Sequence, residues 1–273
     1  MNLDKLGLIL SGENGGDGGD TCHRMYTVYL RQEICNDNGY YNVIIDGLSS
    51  PDDTQQLLEI KKGIYVRHPD KTKWSSDPWC TSRDQLIAPL CYHSYMSYHG
   101  WNNNRVHLKD LFIACLKRGM FAQNIHSNWG EPGTHLPDLM NPDLWTAFIR
   151  GSKMLPYILY PLLFCLDFFV LISTILQIWG PSVPDGTLKF RWQQPDDVDD
   201  DNRHNILMLA QHTLDTPLSY LSRKLFKRFR KPNLGNTEFG EKSAMMGALV
   251  YYYRLPQGNP EIAELTRPIL ERY

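Results

Sequence analysis

One long, mainly apolar stretch limits how this chain can fold more than any other feature: Met154 to Trp179, MLPYILYPLLFCLDFFVLISTILQIW. Roughly 20 apolar residues cross a bilayer at 1.5 Å per residue, so length alone permits a membrane span. The pattern inside argues the other way. Asp167 stands near the middle, where an ionised carboxylate costs several kcal/mol in hydrocarbon, and Pro156, Pro161 and Gln177 add interruptions. A helix that is apolar on every side is also what the centre of a large helical protein requires. The stretch therefore reads as a buried core helix. Asp167 would then need a buried partner or a water-filled cavity, and could face the interior of a site.

The rest of the composition supports a core of that kind. The chain has 273 residues, 42% of them hydrophobic, enough for one large domain over residues 1–273. A net charge of -2 supplies no field to hold a polyanion, so nucleic acid is not an expected partner. The one basic run, Arg223 to Lys231, reads as a solvated helix end, where cations complement the helix dipole. Six cysteines, at 22, 35, 80, 91, 115 and 165, form no C-x-x-C pair and sit mostly in apolar helical patterns. They read as free, buried thiols of a reducing compartment. The first ten residues carry an early acid and only a short apolar run, unlike a signal peptide, which points to the cytoplasm or a virion.

Helical periods dominate. Cys22, Met25, Tyr26 and Tyr29 recur at helical spacing from Thr21 to about Asn36, and Leu86, Leu90, Cys91 and Ser94 do so from Ser82 toward Tyr98. Further helices are expected over His107–Gly119, Pro142–Gly151, His204–Arg230 with a break at Pro217, Lys242–Arg254 and Pro260–Arg272. Two brief extended runs, Asn42–Ile45 and Gly63–Arg67, are too short to build a substantial sheet. The expected class is all-α: an antiparallel array of helical hairpins with long loops at one end.

Two loop-to-helix junctions carry the candidate chemistry. The first, GENGGDGGDTCHR from Gly12 to Arg24, brings a glycine-rich loop into a helix start with Asp20, His23 and Arg24; the second, Ser82-Arg83-Asp84-Gln85, repeats the acid and arginine in a first turn. Glycine lets bare backbone approach a ligand, and the helix start favours negative charge. Each junction is also an ordinary cap, Ser82 with Gln85 fitting a capping box. Between them lie Tyr65, Arg67, His68, Trp74 and Trp79, flat faces beside hydrogen-bond donors, a composition that grips sugars and other polar ring-shaped ligands. A later loop adds His126, Trp129, Glu131, His135 and Asp138.

Helix-start loops carrying acids, arginines and aromatics over Gly12 to Gln85 resemble those of the (α/α)-toroid glycoside hydrolases and polysaccharide lyases. The resemblance implies a partial toroid, since complete six-hairpin rings need a longer chain. The patterns G-D-T-x-x-R, S-R-D-Q and G-N-P-E-I-A-E-L at Gly258–Leu265 also resemble uncharacterised phage-encoded proteins. Two functions stay open. One is a glycan-active enzyme with Asp20 and Asp84 as its carboxylate pair and His23, Arg24, His68, Trp74, Trp79 and Arg83 holding a polysaccharide or other polar ligand. The other is a non-catalytic structural or interaction protein of a phage virion, with protein partners, in which the same residues lock loops together.

No cofactor or metal is expected. The acidic run Asp197–Asn202 lacks a calcium loop's glycine, and Met208 stands where its glutamate belongs. No P-loop, H-E-x-x-H or G-x-S-x-G occurs.

Overall fold

The computed structural model describes residues 2–10, 21–38, 45–70, 83–117, 181–182 and 189–190, together with helical positions 165, 168, 171, 172, 175, 218, 221, 224 and 225. The chain divides into two compact units, Met1–Met140 with Glu271–Tyr273, and Asn141–Leu270.

Unit 1 opens with a small hairpin, β1 (Asn2–Leu3) against β2 (Ile9–Leu10), antiparallel with Asn2 opposite Leu10. Its turn is organised by Asp4, whose carboxylate accepts the backbone N–H groups of Leu6 and Leu8 at 2.8 and 2.9 Å. Gly7 has φ +75°, and an added Cβ would lie 2.5 Å from the carbonyl oxygen of Gly47, so glycine alone fits there. Helix α1 (Thr21–Asn38) follows, and α2 (Pro51–Leu58) starts at an N-cap, Ser50, whose Oγ accepts the Asp53 N–H, with Pro51 in the first helical position. A second hairpin pairs β3 (Glu59–Lys61) antiparallel with β4 (Ile64–Tyr65). Helices α3 (Arg83–Tyr98) and α4 (Asn102–Lys117) form a helical hairpin whose short turn includes Gly100 at φ +98°.

The core of this unit lies where α1, α3 and α4 pack. Cys22, Met25, Tyr26, Tyr29 and Leu30 of α1 are buried against α3, and α4 contributes Leu108, Leu111, Phe112 and Cys115. Helix α3 is buried without a break from Ala88 to Ser97, although that run includes His93, Ser94 and Ser97. Within unit 2, β5 (Pro181–Ser182) pairs antiparallel with β6 (Lys189–Phe190).

The all-α expectation is corrected. Among the described residues three two-stranded antiparallel pairs stand beside the helices, so neither an all-α antiparallel array of helical hairpins with long loops at one end nor a partial (α/α)-toroid-like form describes them. Strands of two or three residues are too short to show alternation, and they are held by turn geometry, at Gly7 and Gly63, rather than by a hydrophobic pattern. The expected core helix is also altered where it is described. Cys165, Phe168, Leu171, Ile172 and Ile175 are helical, but none is buried, and Phe168 is 50% exposed. Among the described residues no helix is long and apolar enough to cross a membrane. Cys22, Cys91 and Cys115 are buried thiols in no disulfide, as expected; Cys165, likewise in no disulfide, is exposed.

Candidate functional site

The N-terminal end of α1 is a junction of three segments. The Thr21 hydroxyl donates to the carbonyl of Ile9 at 2.7 Å, and the Cys22 N–H donates to the carbonyl of Arg67 at 3.2 Å. The first bond ties the N-terminal hairpin to the helix start; the second ties in the segment after β4. Both satisfy groups that a helix N-terminus and a buried hydroxyl would otherwise leave open. His23 and Arg24 thus lie in the first turn of α1, and His68 lies one residue after the carbonyl tied to that turn; His23 and His68 are buried and Arg24 is half-buried. The guanidinium of Arg67 lies near enough to Cys22 to favour its thiolate, yet burial outweighs it and pushes that thiol far above its ordinary range.

His68 is held on both sides. Its Nδ1 accepts the Asp70 N–H at 3.0 Å, which leaves Nε2 as the donor, and Nε2 lies 3.1 Å from Asp4 Oδ2. The ring thus links the segment after β4 to the turn of the first hairpin, with little exposure on either side chain.

One turn along α1, a larger polar network begins. The Tyr26 hydroxyl donates to the Gln55 side-chain carbonyl, and Gln55 Nε2 donates to Tyr65 Oη at 2.6 Å and to Glu59. Tyr65 Oη lies 3.0 Å from His93 Nε2, and His93 Nδ1 lies 3.4 Å from Asn104 Oδ1. One donor order satisfies every member: Tyr65 donates to Nε2, and a neutral His93 donates from Nδ1 to Asn104. Burial, and then the neighbouring His107, hold the His93 pKa down to about 3, against weaker opposing pulls from Asn104 and Glu59. Burial above all pushes the Tyr26 and Tyr65 hydroxyls well above their ordinary range, so both serve as neutral donors and acceptors.

Glu59 is the charged member. Burial pushes its pKa up, but the hydrogen bond with His107 and those from the Gly63 N–H and Gln55 pull harder, and the carboxyl ends below its ordinary range. Its Oε2 lies 3.3 Å from His107 Nδ1, and the His107 side chain is 32% exposed. His107 also stacks on His93, ring centres 5.2 Å apart. The result is a carboxylate–imidazole pair at the rim of a buried polar chain that crosses α1, α2, β3, β4, α3 and α4. Such a pair can orient and hold a proton; among the described residues no group of three His, Cys, Asp or Glu is placed to hold a metal ion.

The candidate residues fare unequally. His23 and Arg24 stand in the first turn of α1, and His68 stands in the segment tied to that turn through the Arg67 carbonyl, its own ring turned to Asp4 and Asp70. Arg83 and Asp84 open α3, the helix that packs most extensively on α1, with their side chains outside the described residues. Asp20, Trp74 and Trp79 lie outside the described residues, as do His126, Trp129, Glu131, His135 and Asp138. Tyr65, expected to offer a ring to a ligand, is wholly buried in the network.

Sequence reasoning missed Gln55, Glu59, His93 and His107. Gln55 and Glu59 are four apart across the end of α2, a spacing that puts two polar side chains on one face. Nothing local joins them to His107, 48 or more positions on. Compared with known protein families, with curated proteins and with solved structures, the chain matches none.

Proposed function

We propose that this protein is a glycan-active enzyme, a hydrolase or lyase acting on a polysaccharide, in which Asp20 and Asp84 are the carboxylate pair and His23, Arg24, His68, Trp74, Trp79 and Arg83 hold the substrate. The observation that supports it is the junction at the start of α1. There His23 and Arg24 follow Asp20 and its glycine-rich run in the chain, the segment that carries His68 is tied to the same helix end through the Arg67 carbonyl, and Asp84 stands in the first turn of the helix packed on α1. Glycoside hydrolysis asks for two carboxyl groups roughly 5–10 Å apart, one as acid and one as base or nucleophile. Helix starts are suitable mounts, because their position is fixed by the packing beneath.

The test is an assay of bacterial surface and cell-wall polysaccharides for new reducing ends or unsaturated products. Asp20→Asn and Asp84→Asn keep shape and most capping ability, so each should cost no more than about 1 kcal/mol of stability while lowering turnover at least ~10²-fold. A well-folded protein that cuts nothing across the panel, with both variants melting several degrees lower, removes the enzyme reading.

One observation favours the second reading, a structural or interaction protein of a phage virion. Both ring nitrogens of His68 are engaged by Asp4 and Asp70, as in a residue that fastens loops. Cys22, Cys91 and Cys115, thiols in no disulfide, suit the cytoplasm or a virion under either reading.

A further inference from the structure

His68 and His93 spend both ring nitrogens inside the protein, the first on Asp4 and the Asp70 N–H, the second on Tyr65 and Asn104. His107 spends only one. Its Nδ1 lies 3.3 Å from Glu59 Oε2 and 3.2 Å from Gln55 Nε2. The two hydrogens of the Gln55 amide already go to the nearer Tyr65 hydroxyl and Glu59 carboxylate, so Nδ1 is itself a donor, and its proton goes to Glu59. The neutral ring then carries its lone pair on Nε2. That nitrogen has no partner among the described residues, and it is open to solvent: the side chain is 32% exposed, while Glu59 and the stacked His93 cover its other edge and one face.

The pair is held in that attitude from several sides. Glu59 Oε1 accepts the Gly63 N–H, Oε2 accepts Gln55 as well as His107, and the ring planes of His107 and His93 lie 29° apart. A charged carboxylate that fixes the tautomer and stabilises the imidazolium is what makes a histidine an effective general base near neutral pH. Asn103 stands one helical turn before His107, on the same face of α4 and exposed, where its amide offers an N–H to a developing oxyanion. Nine residues of α3 separate Asp84 from His93, about 14 Å along the helix axis, so this rim and the start of α3 are different places.

We propose that His107, oriented by Glu59, is a catalytic base separate from Asp20 and Asp84 and directed at carboxylic esters. Nε2 takes a proton from water, the water oxygen bonds to the ester carbonyl carbon, and Asn103 donates to the carbonyl oxygen as it becomes negative. The intermediate then breaks its bond to the alcohol oxygen, which leaves with the electron pair and receives the proton from Nε2. Acid and alcohol are the products, and the ring returns to its neutral tautomer. An ester suits a single base because the proton that water gives up is the one the leaving alcohol needs.

The test follows acid release from ethyl dichloroacetate by the purified full chain at constant pH. At pH 7 the rate constant should exceed that of N-acetylhistidine by at least ~10-fold, and it should fall in heavy water, as proton transfer in the rate-limiting step requires. His107→Gln and Glu59→Gln should each remove most of this excess at an unchanged circular dichroism spectrum, and Asn103→Ala should lower it severalfold. Should a variant fail to fold, the wild-type chain gives an independent reading. Diethyl pyrocarbonate, mapped by mass spectrometry, should modify His107 before the more exposed His99, whose ring stacks on Tyr95. Hydrolysis should be lost in step with the modification of His107 and return with hydroxylamine. A rate no higher than that of N-acetylhistidine overturns the proposal, as does an excess that survives His107→Gln or the modification of His107.

Discussion

Two helical segments invert what hydrophobicity alone would assign. Helix α3 carries His93, Ser94, Ser97 and three tyrosines, yet it is enclosed on every side from Ala88 to Ser97. The far more apolar segment around Phe168 leaves a row of its side chains in solvent. The difference lies in what the neighbours supply. Around α3, Tyr65 and Asn104 accept or donate the hydrogen bonds that His93 requires, and aromatic rings fill the space between: Tyr26 lies 5.5 Å from Tyr92 and 5.4 Å from His93, centre to centre. A polar helix is thus admissible at a centre when its most polar ring, His93, finds partners there, even though the buried Ser94 hydroxyl finds none. An apolar helix has no corresponding claim to be covered; it is covered only if some surface is shaped and charged to meet it.

That contrast can be broken most severely at Gly63, which closes the β3–β4 turn. Its φ is +72°, and a Cβ there would lie 2.1 Å from the carbonyl oxygen of Asp110 on α4. Gly63→Val should therefore destabilise by at least about 3 kcal/mol, read as a lower urea midpoint, because both the left-handed backbone and the close approach are lost. Next in size is Gln55→Leu. It deprives Tyr26 and Tyr65 of their shared partner inside the core and should cost about 2–3 kcal/mol, and Gln55→Glu should not recover it, because its carboxylate would face that of Glu59.

A third effect depends on pH. His93 has a folded pKa of about 3, below its ordinary value of 6.5, so between these values the unfolded chain binds the extra proton. Stability should fall as pH drops through that window, by up to about 1.4 kcal/mol per pH unit for this one group. Glu59, also lowered, acts in the same direction but only below its ordinary value of 4.5. Melting temperature measured from pH 7 to pH 5 stays above the range in which Glu59 contributes, and the part of the slope that His93→Gln removes belongs to this histidine. Smaller again is Ser50→Ala, which removes the α2 cap and should cost about 1 kcal/mol. The smallest shift is expected on the exposed row, where Phe168→Gln should change stability by less than about 0.5 kcal/mol. A loss of several kcal/mol there would mean that the row is buried in solution and would erase the comparison.

Much of α1 and α3 is legible in the sequence, because their apolar residues repeat at three and four positions and the glycine-rich loop and the S-R-D-Q run announce two starts. Helix α4 begins five residues earlier than its apolar period suggests. Asn102, Asn103 and Asn104 are poor helix formers, yet the turn after α3 and packing along α4 hold them in place. Helix α2 is harder to see although Ser50-Pro51-Asp52-Asp53 is a strong start signal, since the helix has only eight residues and their apolar positions define no long stripe. The short strands leave no trace of alternation. Of the site, the tie between the start of α1 and the segment that carries His68 rests on Ile9, Thr21, Cys22 and Arg67 closing around one helix end, a tertiary event that spacing cannot express. The pairing of Glu59 with His107 is hidden for the same reason.

The tie between Asp4 and His68 has a consequence for how the chain is made. Asp4 meets the amides of Leu6 and Leu8 as soon as those residues exist, but its other oxygen waits for a partner 64 positions later. At roughly 5–20 residues per second, a ribosome needs some 3 to 13 seconds to supply it. The first turn of the protein, and its contact with the start of α1, can therefore take shape while the chain is still tethered to the ribosome, whereas its tie to the segment after β4 belongs to a later moment, when about a quarter of the polypeptide has been synthesised. Until then Leu8, Ile9 and Leu10, all buried in the finished fold, have only α1 to rest against, and a nascent chain stalled before His68 would leave them partly open to whatever chaperone is at hand.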